Sequence, residues 1–346
     1  MTATESRVPP DLNHPLLPLL RRMGREAREV VFRVLRDVPV EERAAEGGHC
    51  GSDVIYAIDR EVEESLLERL ALEAEALGGI VLVAEGIGEN ETTVHPPRFS
   101  EEGCRWRLLV DPIDGTRPIM MDKRSAWFLA GAAPNRGADT RLRDIDCAVM
   151  AELPTTRAAV ADDFAAVLGQ GVVAERVELL RKDVPSRFWV PKPWAGPSIR
   201  GGFVQMVRFC PPGRDLIAGL EESLIARLFP DAEEGEILSF EDQYPSTGGQ
   251  LVELMCGRDR FNADLRGTLY GSARFAERRI GHVCHPYDLA GALVAQEAGV
   301  LLTTADGSAF DGPFDTRSPM DWIGYPNPGI RKEVEGTLLT LLGDWG

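Results

Sequence analysis

The feature that most constrains this chain is residues 105–116, RWRLLVDPIDGT, where a short apolar run meets two carboxylates. The apolar residues 108–110 predict a buried strand, which ends at Asp111 and is followed by Asp114. The proline between the acids fixes its own φ, and Gly115 permits a tight turn, so both carboxylates could converge on one divalent cation. A helix after Gly115 would direct free N–H groups at an anion. The stretch predicts phosphate chemistry, although Asp-Pro and Asp-Gly are also common turn dipeptides.

The composition limits the class of protein. The 346 residues are 44% hydrophobic and 27% charged, which is typical of a soluble globular enzyme with one large domain or two halves. The net charge of −17 argues against a general nucleic-acid or membrane-surface binder. Six scattered cysteines without a Cys-x-x-Cys pair favour reduced thiols. No apolar run approaches the ~20 residues that span a bilayer, and the N-terminus lacks a signal-peptide core, so we expect a cytoplasmic protein.

Hydrophobic periodicity predicts helices over residues 15–38, 57–77, 216–229, 248–255, 289–298 and 329–342. It predicts strands over residues 80–84, 126–133, 144–153 and 299–303, in addition to the strand before Asp111. Residues 86–100 are expected to form a loop or a hairpin tip. The first half therefore indicates helices covering an antiparallel or mixed sheet, and the second half an α/β layer.

Residues 183–215 interrupt this pattern with six prolines and two tryptophans. Their length and composition favour a structured surface insertion. A lid that shapes the substrate pocket and a subunit contact are the alternatives.

Residues 111–116, DPIDGT, resemble the signature of the inositol monophosphatase-like family of magnesium-dependent, lithium-sensitive phosphatases, which includes fructose-bisphosphatases and nucleotide phosphatases. Three further segments resemble family elements and occur in the family order. They are residues 53–59 (DVIYAID), residues 79–85 (GIVLVAE) and residues 287–299 (YDLAGALVAQEAG). The resemblance covers most of residues 15–345.

The resemblance implies a fold of the α+β or α/β class, namely the layered α-β-α-β-α sandwich of the sugar phosphatases. The two halves would be residues 1–165 and 166–346, with the active site between them. The implied cofactor is Mg²⁺, as two or three ions, and the implied partner is a small phosphorylated metabolite. The family often forms dimers, which leaves a homodimer open.

The resemblance also implies a metal site. Asp111 would bridge two metal ions, and Glu85 and the Ile113 carbonyl would complete the first ion's ligands. Asp114 and Asp288 would hold the second ion, and metal-activated water would be the nucleophile. Read from the residues alone, Glu85 could also be a turn glutamate and Asp288 a helix N-cap.

Catalytic and phosphate-binding roles follow from the same resemblance. Thr116, Asp59 and Glu85 would serve catalysis, with Thr116 orienting the attacking water and Asp59 accepting the hydroxyl proton of Thr116. The N–H groups of Gly115 and Thr116 would hold the phosphate, with Asp288 beside it. Asp59 could instead be an ordinary acid in the first turn of a helix.

Two positions depart from the family pattern. Gly86 stands where the family usually has a second acid, which leaves the third metal ion open. Tyr56 stands where the family has threonine.

Other clusters also suggest pocket residues. Residues 246–249 (STGG) are similar to a family element that lines the substrate pocket, and Asp264 stands where relatives have an acidic or polar pocket residue. His282 and His285 flank Cys284, which predicts packing near Asp288 or a pocket wall. Six arginines could bind a substrate phosphate or form a solvated, acid-paired face. They are Arg258, Arg260, Arg266, Arg274, Arg278 and Arg279.

The sequence thus predicts a Mg²⁺-dependent phosphatase that acts on a small phosphorylated polyol or sugar. One alternative is a bisphosphatase acting on fructose 1,6-bisphosphate or a 3′-phosphonucleotide, with the arginines holding the second phosphate. Another is a non-catalytic phosphatase-like binding protein, which Gly86 and Tyr56 favour. The aspartyl-phosphate phosphatases are disfavoured, because their Asp-x-Asp-x-Thr spacing does not match Asp111 and Asp114.

Overall fold

The computed structural model describes residues 11–44, 46–50, 53–88, 91–181, 183–276 and 281–345. Its α-helices are α1 (Leu17–Asp37), α2 (Val40–Arg43), α3 (Ala57–Glu73), α4 (Thr116–Met120), α5 (Arg214–Leu228), α6 (Thr247–Met255), α7 (Arg266–Gly271), α8 (Ala292–Glu297) and α9 (Pro328–Gly343). Its strands are β1 (Glu46–Cys50), β2 (Asp53–Tyr56), β3 (Ile80–Ala84), β4 (Thr92–His95), β5 (Trp106–Asp114), β6 (Ala126–Pro134), β7 (Cys147–Leu153), β8 (Val160–Val167), β9 (Gly171–Glu178), β10 (Arg187–Trp189), β11 (Gly202–Met206), β12 (Ser239–Phe240), β13 (Asp259–Asp264), β14 (Leu301–Thr303) and β15 (Trp322–Tyr325).

The first sheet has eight strands in the order β10-β9-β8-β7-β6-β5-β3-β4. Only the β3–β5 pair is parallel, and the other neighbours are antiparallel. Helices α1 and α3 cover one face of this sheet, and α6 and α8 cover the other. Burial on both faces explains why β3 reads as an unbroken apolar run.

The second sheet has five strands in the order β12-β11-β13-β15-β14. Helices α6 and α8 lie between the two sheets, and α5 and α9 cover the outer face of the second sheet. The layers therefore run α-β-α-β-α, and the predicted sandwich is confirmed.

The long helices follow the predicted periodicity, with differences at their ends. Helix α1 ends at Asp37 because Val38 precedes a proline and takes an extended conformation. The predicted loop at residues 86–100 contains the short edge strand β4. The predicted helix at 289–298 is shorter, because a 3-10 turn (Pro286–Leu289) precedes α8.

The sequence suggested that the strand before Asp111 ends at that residue, but it does not. Strand β5 continues to Asp114, and its pairing with β6 changes register between the two aspartates. Asp111 pairs with Leu129 and Asp114 with Trp127, so three steps along β5 match two along β6. This bulge re-aims the carboxylates, which is a common use of bulges beside functional sites.

Residues 183–215 are part of both sheets. Strand β10 forms the edge of the first sheet, and β11 lies inside the second sheet, between β12 and β13. The interpretation as a surface insertion is therefore wrong for these two strands, which the surrounding prolines concealed. The division predicted at residue 165 falls within β8, and the first sheet continues to Trp189.

Candidate functional site

Three carboxylates separated in sequence meet in one buried cluster. Asp111 and Asp114 lie in the bulge of β5, and Asp288 lies in the 3-10 turn before α8. A ligand oxygen from each lies within 4.8 Å of the others, and the three residues are between 5% and 9% exposed. Asp111 Oδ1 also accepts a hydrogen bond from the backbone N–H of Ile113 at 3.0 Å, which fixes this carboxylate within the bulge.

Burial raises the pKa values of all three acids, and the charges of neighbouring carboxylates add to the effect for Asp111 and Asp288. Burial is the largest cause for Asp111, followed by the charges of Asp114, Asp288 and Glu85. Burial likewise raises the pKa of Asp288, with the Asp114 charge next, and it raises the pKa of Asp114 to about 6. Such a group of ionised carboxylates is unfavourable without a compensating positive charge.

Asp114 is held by the beginning of helix α6. Its Oδ2 accepts hydrogen bonds from the Ser246 hydroxyl at 2.7 Å and the Gly248 N–H at 2.5 Å, and its Oδ1 accepts one from the Thr247 N–H at 3.2 Å. Ser246 is also the N-cap of α6, because its Oγ accepts from the Gly249 N–H at 2.9 Å. These contacts favour the ionised carboxylate and oppose the effect of burial on its pKa.

Residues 246–249 therefore act on a carboxylate of the cluster in addition to lining the cavity at Ser246 and Thr247. A Cβ on Gly248 would lie 2.9 Å from Asp114 Oδ2 and 2.6 Å from Leu129 Cδ2, so any other residue here would have to displace both side chains. Sequence reasoning missed this role. The sequence signal for this role was Ser246 as an N-cap, with two glycines shortly after it that let a carboxylate approach the backbone closely.

Gly115 and Thr116 follow the bulge. Gly115 has a φ of 100°, the left-handed conformation that glycine accommodates best, and it precedes the five-residue helix α4. The Thr116 hydroxyl has one proton and two acceptors, the Ile113 carbonyl at 2.9 Å and Asp59 Oδ1 at 3.3 Å. The other oxygen of Asp59 accepts from the Tyr56 N–H at 2.7 Å at the beginning of α3. Asp59 therefore accepts a hydrogen bond at the beginning of α3 and also contacts Thr116.

Asp288 is not the N-cap of a helix, which corrects that interpretation. It is the third residue of the 3-10 turn, and its Oδ2 accepts from the His285 N–H at 2.6 Å. The His285 ring stacks on Tyr287, with ring centroids 5.7 Å apart. The histidine cluster therefore packs beside Asp288, while His282 lines the cavity.

Glu85 follows β3 and lines the same cavity as the three aspartates. It lies outside the 4.8 Å group, but its charge raises the pKa values of Asp111 and Asp288. Gly86, beside it, has a φ of 73°. The side chain of Asp53 lies outside the described part of the structure.

The cluster opens into a cavity of about 760 Å³ with basic residues on its wall. Arg117, Lys123 and Arg124 come from the segment after the DPIDGT motif, and sequence reasoning did not select them. Arg124 forms an ion pair of 2.8 Å with Asp242 and lies over the Tyr244 ring at 3.6 Å. The sequence signal for these three residues was their position shortly after the motif, because this segment also lines the cavity.

The arginines of residues 258–279 mostly have partners away from the cavity. Arg258 pairs with Glu253 at 2.6 Å, and Arg260 lies 4.2 Å over the Trp194 ring. Arg266 lines the cavity but is committed to a buried pair with Asp264, in which Nη2 and Oδ2 are 2.6 Å apart. Arg278 and Arg279 lie outside the described residues.

The donor set fits a hard divalent cation. All the converging ligand atoms are carboxylate oxygens, which Mg²⁺ prefers, and Ile113 lines the same cavity. Burial and the neighbouring carboxylates raise the pKa values of Asp111 and Asp288, so a bound cation would favour their ionised forms.

Comparison with solved structures identifies the fold. SuhB of Mycobacterium tuberculosis superposes with a TM-score of 0.59 at 16% identity, covering 95% of this chain and 98% of that one. Fructose-1,6-bisphosphatase of Leishmania major gives 0.62 at 13%, covering 94% of each chain. An inositol monophosphatase–fructose 1,6-bisphosphatase gives 0.60 at 15%, covering 93% and 98%. The chain has the inositol monophosphatase fold.

The inositol monophosphatase fold was the one that the sequence resemblance implied. No family sequence profile and no curated protein sequence matches the chain significantly. Among the described residues, no helix combines the length and the apolar character needed to cross a membrane.

Proposed function

We propose that this chain is a Mg²⁺-dependent phosphatase that hydrolyses a small phosphorylated polyol or sugar. The observation that carries the proposal is the buried cluster of Asp111, Asp114 and Asp288 at a cavity with basic residues on its wall. Neighbours named as an inositol monophosphatase and as fructose-1,6-bisphosphatases support the substrate class.

The acids would hold the metal ions, of which we propose two or three. Asp111, Asp114 and Asp288, with Glu85 and the Ile113 carbonyl, would provide the oxygen ligands. When bound, Mg²⁺ would supply Lewis-acid polarisation of the phosphoryl group and lower the pKa of a water molecule.

The residues after the bulge would position the reactants. The Thr116 hydroxyl lies within hydrogen-bonding distance of Asp59, so it could accept a proton from the attacking water while passing its own to Asp59. The N–H groups of Gly115 and Thr116 would face the phosphoryl oxygens. Basic side chains on the wall, Arg117 and Lys123 among them, would attract the anionic substrate.

A bisphosphatase is the second candidate, because the cavity wall carries several cations outside the acid cluster. Arg117, Lys123 and Arg124 are better placed to hold a second phosphate than Arg258 and Arg260, because the first three line the cavity and the other two do not. We propose a small metabolite as the partner in either case, and neither nucleic acid nor a membrane.

A phosphate-release assay tests the proposal. Purified protein is given Mg²⁺ and a panel of polyol and sugar monophosphates, fructose 1,6-bisphosphate and a 3′-phosphonucleotide. We expect Mg²⁺-dependent release that is lost in Asp111→Asn, and a preference for bisphosphates would favour the second candidate. Tight Mg²⁺ binding without release from any compound would instead support a non-catalytic binding protein.

A further inference from the structure

A second cavity lies on helix α1, away from the acid cluster. It has a volume of about 380 Å³ and shares no lining residue with the first cavity. Its wall includes His14 and three arginines of α1, namely Arg21, Arg22 and Arg25. We call it the arginine cavity. Such a concentration of positive charge is unusual in a chain with a net charge of −17.

The arginine cavity lies near the beginning of β5, whereas Asp111 and Asp114 lie near its end. The His14 ring packs against Trp106, the first residue of β5, with ring centroids 5.1 Å apart. Asp111 lies five residues further along the strand, which corresponds to about 17 Å. A ligand in the arginine cavity would therefore not contact the acid cluster.

Most arginines of this part of α1 have acidic partners. Arg22 Nε donates to Glu73 at 3.0 Å, Arg25 Nη2 donates to Glu175 at 2.8 Å, and Arg28 Nη1 donates to Asp163 at 2.6 Å. Glu73, Glu175 and Asp163 are thus already engaged, and His14 of the cavity wall pairs with Asp146 at 3.2 Å.

Arg21 is the exception. Within the ranges that the structure describes, its guanidinium makes no hydrogen bond and no ion pair, although the residue is half-buried. Burial lowers its pKa, and the charges of Glu175 and Asp163 only partly offset this effect. A half-buried arginine without a hydrogen-bond partner is costly, because burial removes water from the charge and the carboxylates compensate for it only in part.

We propose that the arginine cavity binds a tetrahedral oxyanion, either inorganic phosphate or the phosphate group of a metabolite, with Arg21 as its principal ligand. The planar guanidinium of Arg21 would donate two N–H groups to the anion. Arg22 and Arg25 would lie at the rim, where their side chains are 43% and 47% exposed and remain paired with Glu73 and Glu175. The proposal is independent of the proposed phosphatase activity.

Titration of the full-length protein with anions tests the proposal. Calorimetry and thermal unfolding are measured in EDTA with sulfate, inorganic phosphate and glycerol phosphate, at ionic strength held constant with chloride. We expect saturable binding of sulfate and phosphate by the wild type and at least about tenfold weaker binding by Arg21→Gln, because one charge-assisted contact is removed. Tighter binding of glycerol phosphate would identify a metabolite as the ligand, and equal binding would identify inorganic phosphate.

Arg33→Gln is the matched control, because Arg33 lies on the same helix in an exposed pair with Glu61. It should bind anions as the wild type does. Without anion, Arg21→Gln should be at least as stable as the wild type, since an unpaired half-buried charge is removed. Arg21→Met, which keeps an apolar stem, provides a second variant if the glutamine variant misfolds. Equal anion binding by the wild type and a folded Arg21 variant would overturn the proposal, and so would no binding by either.

Discussion

Replacing Ser246 with alanine should raise the pH at which the acid cluster binds Mg²⁺. The Ser246 hydroxyl donates to Asp114 Oδ2 at 2.7 Å, and a hydrogen bond to a charged acceptor contributes about 1.5–3 kcal/mol. At 1.36 kcal/mol per pKa unit, its loss corresponds to one to two units. Asp114, whose pKa burial raises to about 6, would then titrate at a higher pH.

Isothermal titration with Mg²⁺ from about pH 5.5 to pH 9 measures this shift. Mg²⁺ needs the ionised carboxylate, so its binding displaces any proton on Asp114, and apparent affinity falls below the pKa. Ser246→Ala should show this fall at a higher pH than the wild type, by up to one to two pH units, because Asp111 and Asp288 titrate together with Asp114. The variant should also lose about 1 kcal/mol of stability, because Ser246 caps α6.

Asn327→Ala is the control for the stability loss. Asn327 caps α9 by accepting from the N–H groups of Gly329 and Ile330, and it has no contact with Asp114. It should destabilise the fold and leave the pH dependence of Mg²⁺ binding unchanged. An unchanged pH dependence in Ser246→Ala, or an equal shift in Asn327→Ala, would refute the reasoning.

Three further variants test other parts of the account. Asp111→Asn should reduce turnover by orders of magnitude, because a proposed metal ligand is lost. It should also raise the melting temperature in EDTA, because one repelling charge is removed, and a fall in that temperature would contradict this. The pKa of Asp114 is higher in the folded than in the unfolded state, so the free energy of unfolding of the metal-free wild type should fall relative to Asp114→Asn as the pH rises from about 4 to 6. Denaturant titrations that show a constant difference in stability between the two proteins over this range would argue against this prediction. Arg266→Met should cost about 3–5 kcal/mol by leaving Asp264 buried and unpaired, and adding Asp264→Leu should recover much of this in urea unfolding.

Much of the fold was predictable because it depends on local patterns. The periodicity of α1 and the unbroken apolar run of β3 each identify an element, and the DPIDGT motif identifies the fold. The short strands β10 and β11 escaped prediction, since prolines surround them and their pairing partners are distant in sequence.

The acids of the candidate site could be predicted from the sequence, but the bulge and the hydrogen bonds that hold them could not. Asp111 and Asp114 could be selected from their place after an apolar run, and Asp288 from the second motif. The bulge of β5 could not be predicted, because it depends on the register with β6. The hydrogen bonds from the beginning of α6 to Asp114 join residues more than 130 positions apart, and local sequence carries no record of them.

The most direct test of the central claim is anomalous diffraction from crystals soaked in Mn²⁺, which takes the same oxygen ligands as Mg²⁺. The account predicts strong anomalous peaks among Asp111, Asp114 and Asp288, with Glu85 beside them, and their loss in Asp111→Asn. Well-ordered crystals with no peak at this cluster, or with the cation bound only elsewhere, would contradict it.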